Sequence, residues 1–211
     1  MEELIAQGFV CGSCDYRINV NALEQLSDLR QGYQLFCEYL RQSGRPAQIA
    51  VCGSSGGAHL AALLTLAEPG ECGENFSGDW TRPIGLVVSA FPPYFAPWKN
   101  IFPPIAETMR EIAGGPYEEN ANLYQRLSPI HYVNERSCPV LNLHAANEHM
   151  FPLRHSLEFD AKMKSLGKYC KTIVYEDAEH GFFYDVEREC QKAAFADLLA
   201  FLDKVEESVA E

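Results

Sequence analysis

The chain has 211 residues, 47% hydrophobic and 22% charged, with 17 basic against 29 acidic side chains and a formal charge of -12. That balance describes one globular core rather than a disordered chain, and no apolar run approaches the roughly 20 residues of a membrane span. A net negative surface repels phosphates, which argues against nucleic acid as a partner.

In chain order, strands and helices alternate. Residues 1–7 read as the tail of a helix ended by Gly8, and residues 9–14 as a short strand with Asp15-Tyr16-Arg17 at its exit. Residues 21–42 carry Leu23, Leu26, Leu29, Tyr33, Phe36, Cys37 and Leu40 at spacings of three and four, which predicts a long helix with one buried stripe. Residues 49–52 form the next strand and 58–66 the helix behind it. A Gly- and Pro-containing loop fills 68–83. Strands follow at 84–90, 140–143 and 171–175, with helices over 153–166 and 187–205. Short apolar strands separated by long helices predict an α/β fold, a mostly parallel sheet covered on both faces.

Residues 91–129 interrupt this rhythm with Phe91-Pro92-Pro93-Tyr94-Phe95, Pro97-Trp98, Pro103-Pro104 and a helix near 105–112. An excursion at the C-terminal edge of a strand is well placed to roof a substrate pocket. Phe91, Tyr94 and Trp98 are the candidate substrate-binding residues, within a set of aromatics that includes Phe95 and Phe102. The same rings would equally serve to pack the excursion onto the body.

The eight cysteines at 11, 14, 37, 52, 72, 138, 170 and 190 include one C-x-x-C pair, Cys11 and Cys14, with no second pair after it. Zinc is therefore not expected, nor any other metal or cofactor, and apolar thiols are the simpler reading. No basic-then-apolar leader opens the sequence, so a reducing cytoplasm is the expected location.

The most specific signal is Val51-Cys52-Gly53-Ser54-Ser55-Gly56-Gly57-Ala58-His59-Leu60. A G-x-S-x-G turn between a strand and a helix of small residues reads as a nucleophile elbow that lifts Ser55 out of a sharp bend. Gly53 and Gly57 are expected where strand and helix backbones approach closely. Gly56, directly after the serine, is the expected oxyanion donor through its backbone N–H at the helix N-terminus. A glycine-rich turn whose serines merely cap the helix would use the same residues.

A serine at its free pKa needs a base, and the base needs an acid to hold its tautomer. Of six histidines, His180 follows the strand at 171–175, precedes the last helix, and sits in a loop able to reach back over the strand ends. His59 lies one turn beyond Ser55 and is expected to pack or hydrogen-bond there. After the strand at 140–143, Glu148 is the only carboxylate in its loop and is the candidate acid, with Asp177 in reserve.

With these residues assembled, the chain resembles the α/β-hydrolase superfamily, in particular the carboxylesterase and carbohydrate-deacetylase group related to prolyl-oligopeptidase-like hydrolases. The matching pieces are Asp15-Tyr16-Arg17, the elbow, Ser128-Pro129-Ile130 and Glu179-His180-Gly181-Phe182. The family's acid loop falls on residues 144–152, with Glu148 at its usual Asp position and Ala145 replacing its usual Gly. The resemblance implies a metal-free serine esterase acting on short acyl esters, acetylated sugars or xylan among them. A peptidase or thioesterase of the same fold, or an inactive homologue serving as a binding subunit, are the other readings. Family members also carry N-terminal strands with a His-Gly-Gly-type loop that completes the oxyanion hole, and no counterpart is found here. The sheet is therefore expected to be N-terminally shortened, in one domain over residues 1–211. Its open edge would suit a homodimer or another partner subunit.

Overall fold

The computed structural model describes residues 1–210, and of residues 209 and 210 only the backbone. Four strands, β1 (Ala50–Ser54), β2 (Gly85–Ser89), β3 (Val140–Asn147) and β4 (Cys170–Glu179), lie side by side in chain order and all parallel. Alternation along the strands sends successive side chains to opposite faces. Leu86, Val88 and Val140 join one apolar cluster, with the residues of α2 (Ala22–Gln42), α3 (Gly56–Leu66) and α6 (Leu153–Ser165). Val87, Leu141 and Leu143 join another, with Ala194, Leu198 and Phe201 of α7 (Glu189–Ala210). Both faces of the sheet are thus covered, which is why β2 is buried along its whole length.

The helices begin and end where local chemistry directs. Asn21 caps α2: its side-chain oxygen accepts from the N–H groups of Leu23 and Glu24, at 3.0 and 3.1 Å. The short α1 (Glu2–Ala6) ends at Gly8, whose φ of +93° a side chain would resist. The excursion contains two helices, α4 (Pro103–Ile112) and α5 (Tyr117–Arg126), where the sequence pattern led us to expect one. β3 and β4 each run about four residues beyond their apolar runs, to Asn147 and Glu179.

One expected strand does not form. Residues 9–14 belong to no helix and no ladder, and a strand requires a hydrogen-bonded neighbour. Between this segment and β1 lies a hollow of about 820 Å³, with Phe9, Val10, Phe36, Val51, Ile84 and Val205 on its walls. β1 is consequently an edge of the sheet.

The loop at 68–83 is tied down by a buried ion pair. The Arg30 guanidinium, on α2 and fully buried, meets the Glu74 carboxylate. It also donates to the carbonyls of Leu64, Ala67 and Glu68 at 3.3, 3.1 and 3.2 Å, and lies over the Trp80 ring.

Candidate active site

Ser55 sits at the junction of β1 and α3 with φ +53° and ψ -121°, a backbone state non-glycine residues seldom adopt. It is held there by its N–H, which donates to the Ser89 carbonyl of β2 at 2.9 Å. Gly53 is required for this bend: a β-carbon there would lie 2.3 Å from the Gly57 carbonyl oxygen, a backbone atom with nowhere to go. Gly57 was expected to be equally crowded, but a β-carbon on it would meet nothing within 4 Å. The strand meets the helix at Gly53, and the carbonyl of residue 57 is what it meets.

The other two strands deliver the remaining groups. Glu148 follows the end of β3 and His180 the end of β4. Gly181 turns the chain away from His180 with φ +76°, where a β-carbon would also strike the Tyr184 ring at 2.6 Å. His180 Nε2 lies 3.1 Å from Ser55 Oγ, and His180 Nδ1 lies 2.7 Å from Glu148 Oε2. Glu148 Oε1 meanwhile accepts from the backbone N–H groups of Met150 at 2.8 Å and Phe151 at 3.4 Å. One carboxylate therefore shapes its own loop and orients the ring.

Burial pushes the Glu148 carboxyl upward, but the hydrogen bond with His180 and the Met150 N–H outweigh it and hold the group below the usual glutamate range. An ionised carboxylate only accepts, so the proton of a neutral His180 ring sits on Nδ1 and leaves Nε2 free to accept from Ser55. Asp177, the reserve acid, is exposed and stands outside this chain of bonds.

Two further histidines, His59 and His144, are buried away from this chain of bonds. His59 stacks on Phe95, and burial lowers it to about 4, so its Nε2–H donates to the Leu127 carbonyl at 2.6 Å. His144 is buried with Nδ1 3.4 Å from Ser156 Oγ.

The three aromatic candidates separate. Phe91 has no solvent exposure and packs edge-on against Phe159, so it belongs to the core and not to an accessible wall. Tyr94 and Trp98 both pack on His155. Trp98 also reaches Phe151, whose ring centroid is 5.9 Å from that of His180. His149 lies 6.3 Å from His180 and carries Phe102 on its other side at 5.6 Å. Sequence reasoning named neither Phe151 nor His149 as site residues; both follow Glu148 within its own loop. Gly56 opens α3 and is exposed. Among the described residues no cluster of His, Cys, Asp and Glu is arranged to hold a metal ion.

A parallel sheet wrapped by helices, with a serine in a strained strand-to-helix bend, is the α/β-hydrolase fold. Residues 1–163 match the model of the BD-FAE family, and the chain belongs to that family. It is 27% identical over 203 residues to esterase LipQ of Mycobacterium tuberculosis, covering 86% of this chain and 45% of that one. Esterase LipC of the same organism is 25% identical over 193 residues, covering 86% and 47%. The chain thus spans about half the length of the curated relatives it matches. A thermophilic esterase of Thermogutta terrifontis, Est2, superposes with a TM-score of 0.71 at 21% identity, over 92% of this chain and 69% of that one. The same enzyme phosphonylated by sarin superposes at 0.67 with 22% identity, over 92% and 68%.

Proposed function

We propose that this chain is a serine carboxylic-ester hydrolase in which Ser55 is the nucleophile, His180 the base and Glu148 the orienting acid. The observation that carries the reading is the unbroken run of hydrogen bonds from Ser55 Oγ through His180 to Glu148. His180 Nε2 takes the hydroxyl proton as Oγ attacks the acyl carbonyl carbon, and Glu148 stabilises the imidazolium that forms. The Gly56 N–H, at the positive end of α3, donates to the oxyanion. Collapse breaks the ester C–O bond, and His180 gives its proton to the departing alcohol oxygen. Water then attacks the acyl-serine with His180 again as base, releasing the acid.

Short acyl esters, acetylated sugars or xylan among them, are the proposed substrates. Trp98, Phe102, His149 and Phe151 stand on the His180 side, where the leaving alcohol must receive its proton. We assign to them and to the 91–129 excursion the wall over that alcohol. The esterase names of both mycobacterial relatives and the organophosphate adducts of the Thermogutta enzyme support acyl transfer from a serine. The eight free thiols fit a reducing cytoplasm. A second copy of the chain is the proposed partner along β1.

Hydrolysis of p-nitrophenyl acetate by the chain and by Ser55→Ala tests the reading. Turnover abolished by the substitution supports it. Equal background rates in both proteins would transfer the weight to an inactive, binding homologue.

A further inference from the structure

The elbow itself offers the Gly56 N–H, and a developing oxyanion is held best by more than one donor aimed at the same point. The neighbourhood of Gly56 supplies a second. The Tyr16 hydroxyl lies 3.9 Å from the position a β-carbon on Gly56 would occupy, nearer than any other atom beyond Ser55, Gly57 and the backbone of α3. The Tyr16 ring is half-buried and packs against the core cluster that contains α2 and α3. Its backbone is pinned next door. Arg17 donates to Asp28 of α2 through its backbone N–H, Nε and a terminal nitrogen, at 3.1, 2.9 and 2.8 Å.

Glycine at position 56 is informative. Its φ lies outside the left-handed range, and beyond its chain neighbours and the backbone of α3 a β-carbon would meet only the Tyr16 hydroxyl, at an ordinary distance. Neither the helix nor its packing demands glycine there. A methyl group there would stand within van der Waals reach of the Tyr16 hydroxyl.

We propose that the Tyr16 O–H is a second oxyanion donor, acting with the Gly56 N–H on the carbonyl oxygen of an ester attacked by Ser55. The assignment rests on the esterase reading above. No covalent change occurs at Tyr16: it donates one hydrogen bond, strongest when the carbonyl carbon is tetrahedral, and keeps its proton.

Tyr16→Phe removes the donor and leaves the ring that packs on the core. With p-nitrophenyl acetate, kcat is expected to fall roughly 10- to 100-fold with KM changed less than about 3-fold, somewhat below the 10²–10³ typical of losing an oxyanion-hole donor. A trifluoromethyl ketone, whose hemiketal with Ser55 carries an oxyanion, should bind more weakly by the same factor as kcat/KM. The thermal midpoint should stay unchanged, since a merely structural tyrosine would shift it without touching that parallel. Wild-type kcat and ketone affinity in Tyr16→Phe, with Ser55→Ala inactive, would overturn the Tyr16 assignment alone. Background turnover in the unmodified chain would instead overturn the esterase reading beneath it.

Discussion

In the proposed mechanism Glu148 serves both chemistry and structure. One oxygen orients His180 while the other ties down the N–H groups of Met150 and Phe151. Glu148→Gln keeps an acceptor but loses the charge that stabilises the imidazolium. Its kcat should fall by about 10²- to 10⁴-fold, the upper figure being what the equivalent acid-to-amide change does in a chymotrypsin-type triad. The same residue makes stability depend on pH. Its carboxyl titrates lower in the folded chain than in the unfolded one, so the unfolded state binds the extra proton. That contribution is complete above the ordinary glutamate value of about 4.3 and fades as pH falls through the lower folded value. Denaturant titrations at falling pH should show the gap between wild type and Glu148→Gln closing across that window. A gap independent of pH would mean the carboxylate does not contribute through its charge.

At the level of elements, the alternating strands and helices were legible because the apolar period agrees with the tertiary structure from β1 to α3 and along α2. The close approach at Gly53 was legible, while that expected at Gly57 is not found. The elbow and the His180 loop were legible for the same reason: each needs glycine at a spot backbone geometry dictates. Phe91 was misread because an aromatic at a strand end signals burial and pocket lining equally, and only the Phe159 ring opposite decides. Residues 9–14 were misread because β-propensity is local while a ladder needs a partner. The Arg30–Glu74 pair went unnoticed, although a charge on the apolar stripe of α2, four residues after Leu26 and three before Tyr33, was its signal. Removing one member of a buried pair leaves the other charge uncompensated. Glu74→Ala should therefore lose about 3–5 kcal/mol in chemical denaturation, and a loss below about 1 kcal/mol would show that water reaches Arg30 once the carboxylate is gone.

For the molecule as a whole, the side carrying β1 is the one least finished by its own chain. Its strand is an edge, and an apolar hollow rather than a backbone lies beyond it. Unpaired N–H and C=O groups beside apolar surface favour association. Sedimentation velocity should show a monomer giving way to larger species as protein concentration rises, and Val51→Lys should shift that balance toward monomer. A single monomeric boundary at every concentration would remove the proposed second copy.

The proposed triad has a further consequence for which parts of this molecule can be altered. Its three members arrive from the ends of β1, β3 and β4, while β2, between the first two, holds the Ser55 N–H. One residue of slippage along a strand moves its end by about 3.3 Å, more than the whole length of a hydrogen bond. The sheet thus works as an alignment gauge, in which the crossovers can lengthen or shorten freely but the count of residues inside each strand cannot. Insertions are best placed between strands, at exposed positions of the loop at 68–83 away from Glu74 and of the excursion at 91–129 away from its buried rings, where the chain can change without moving the marks on the ruler.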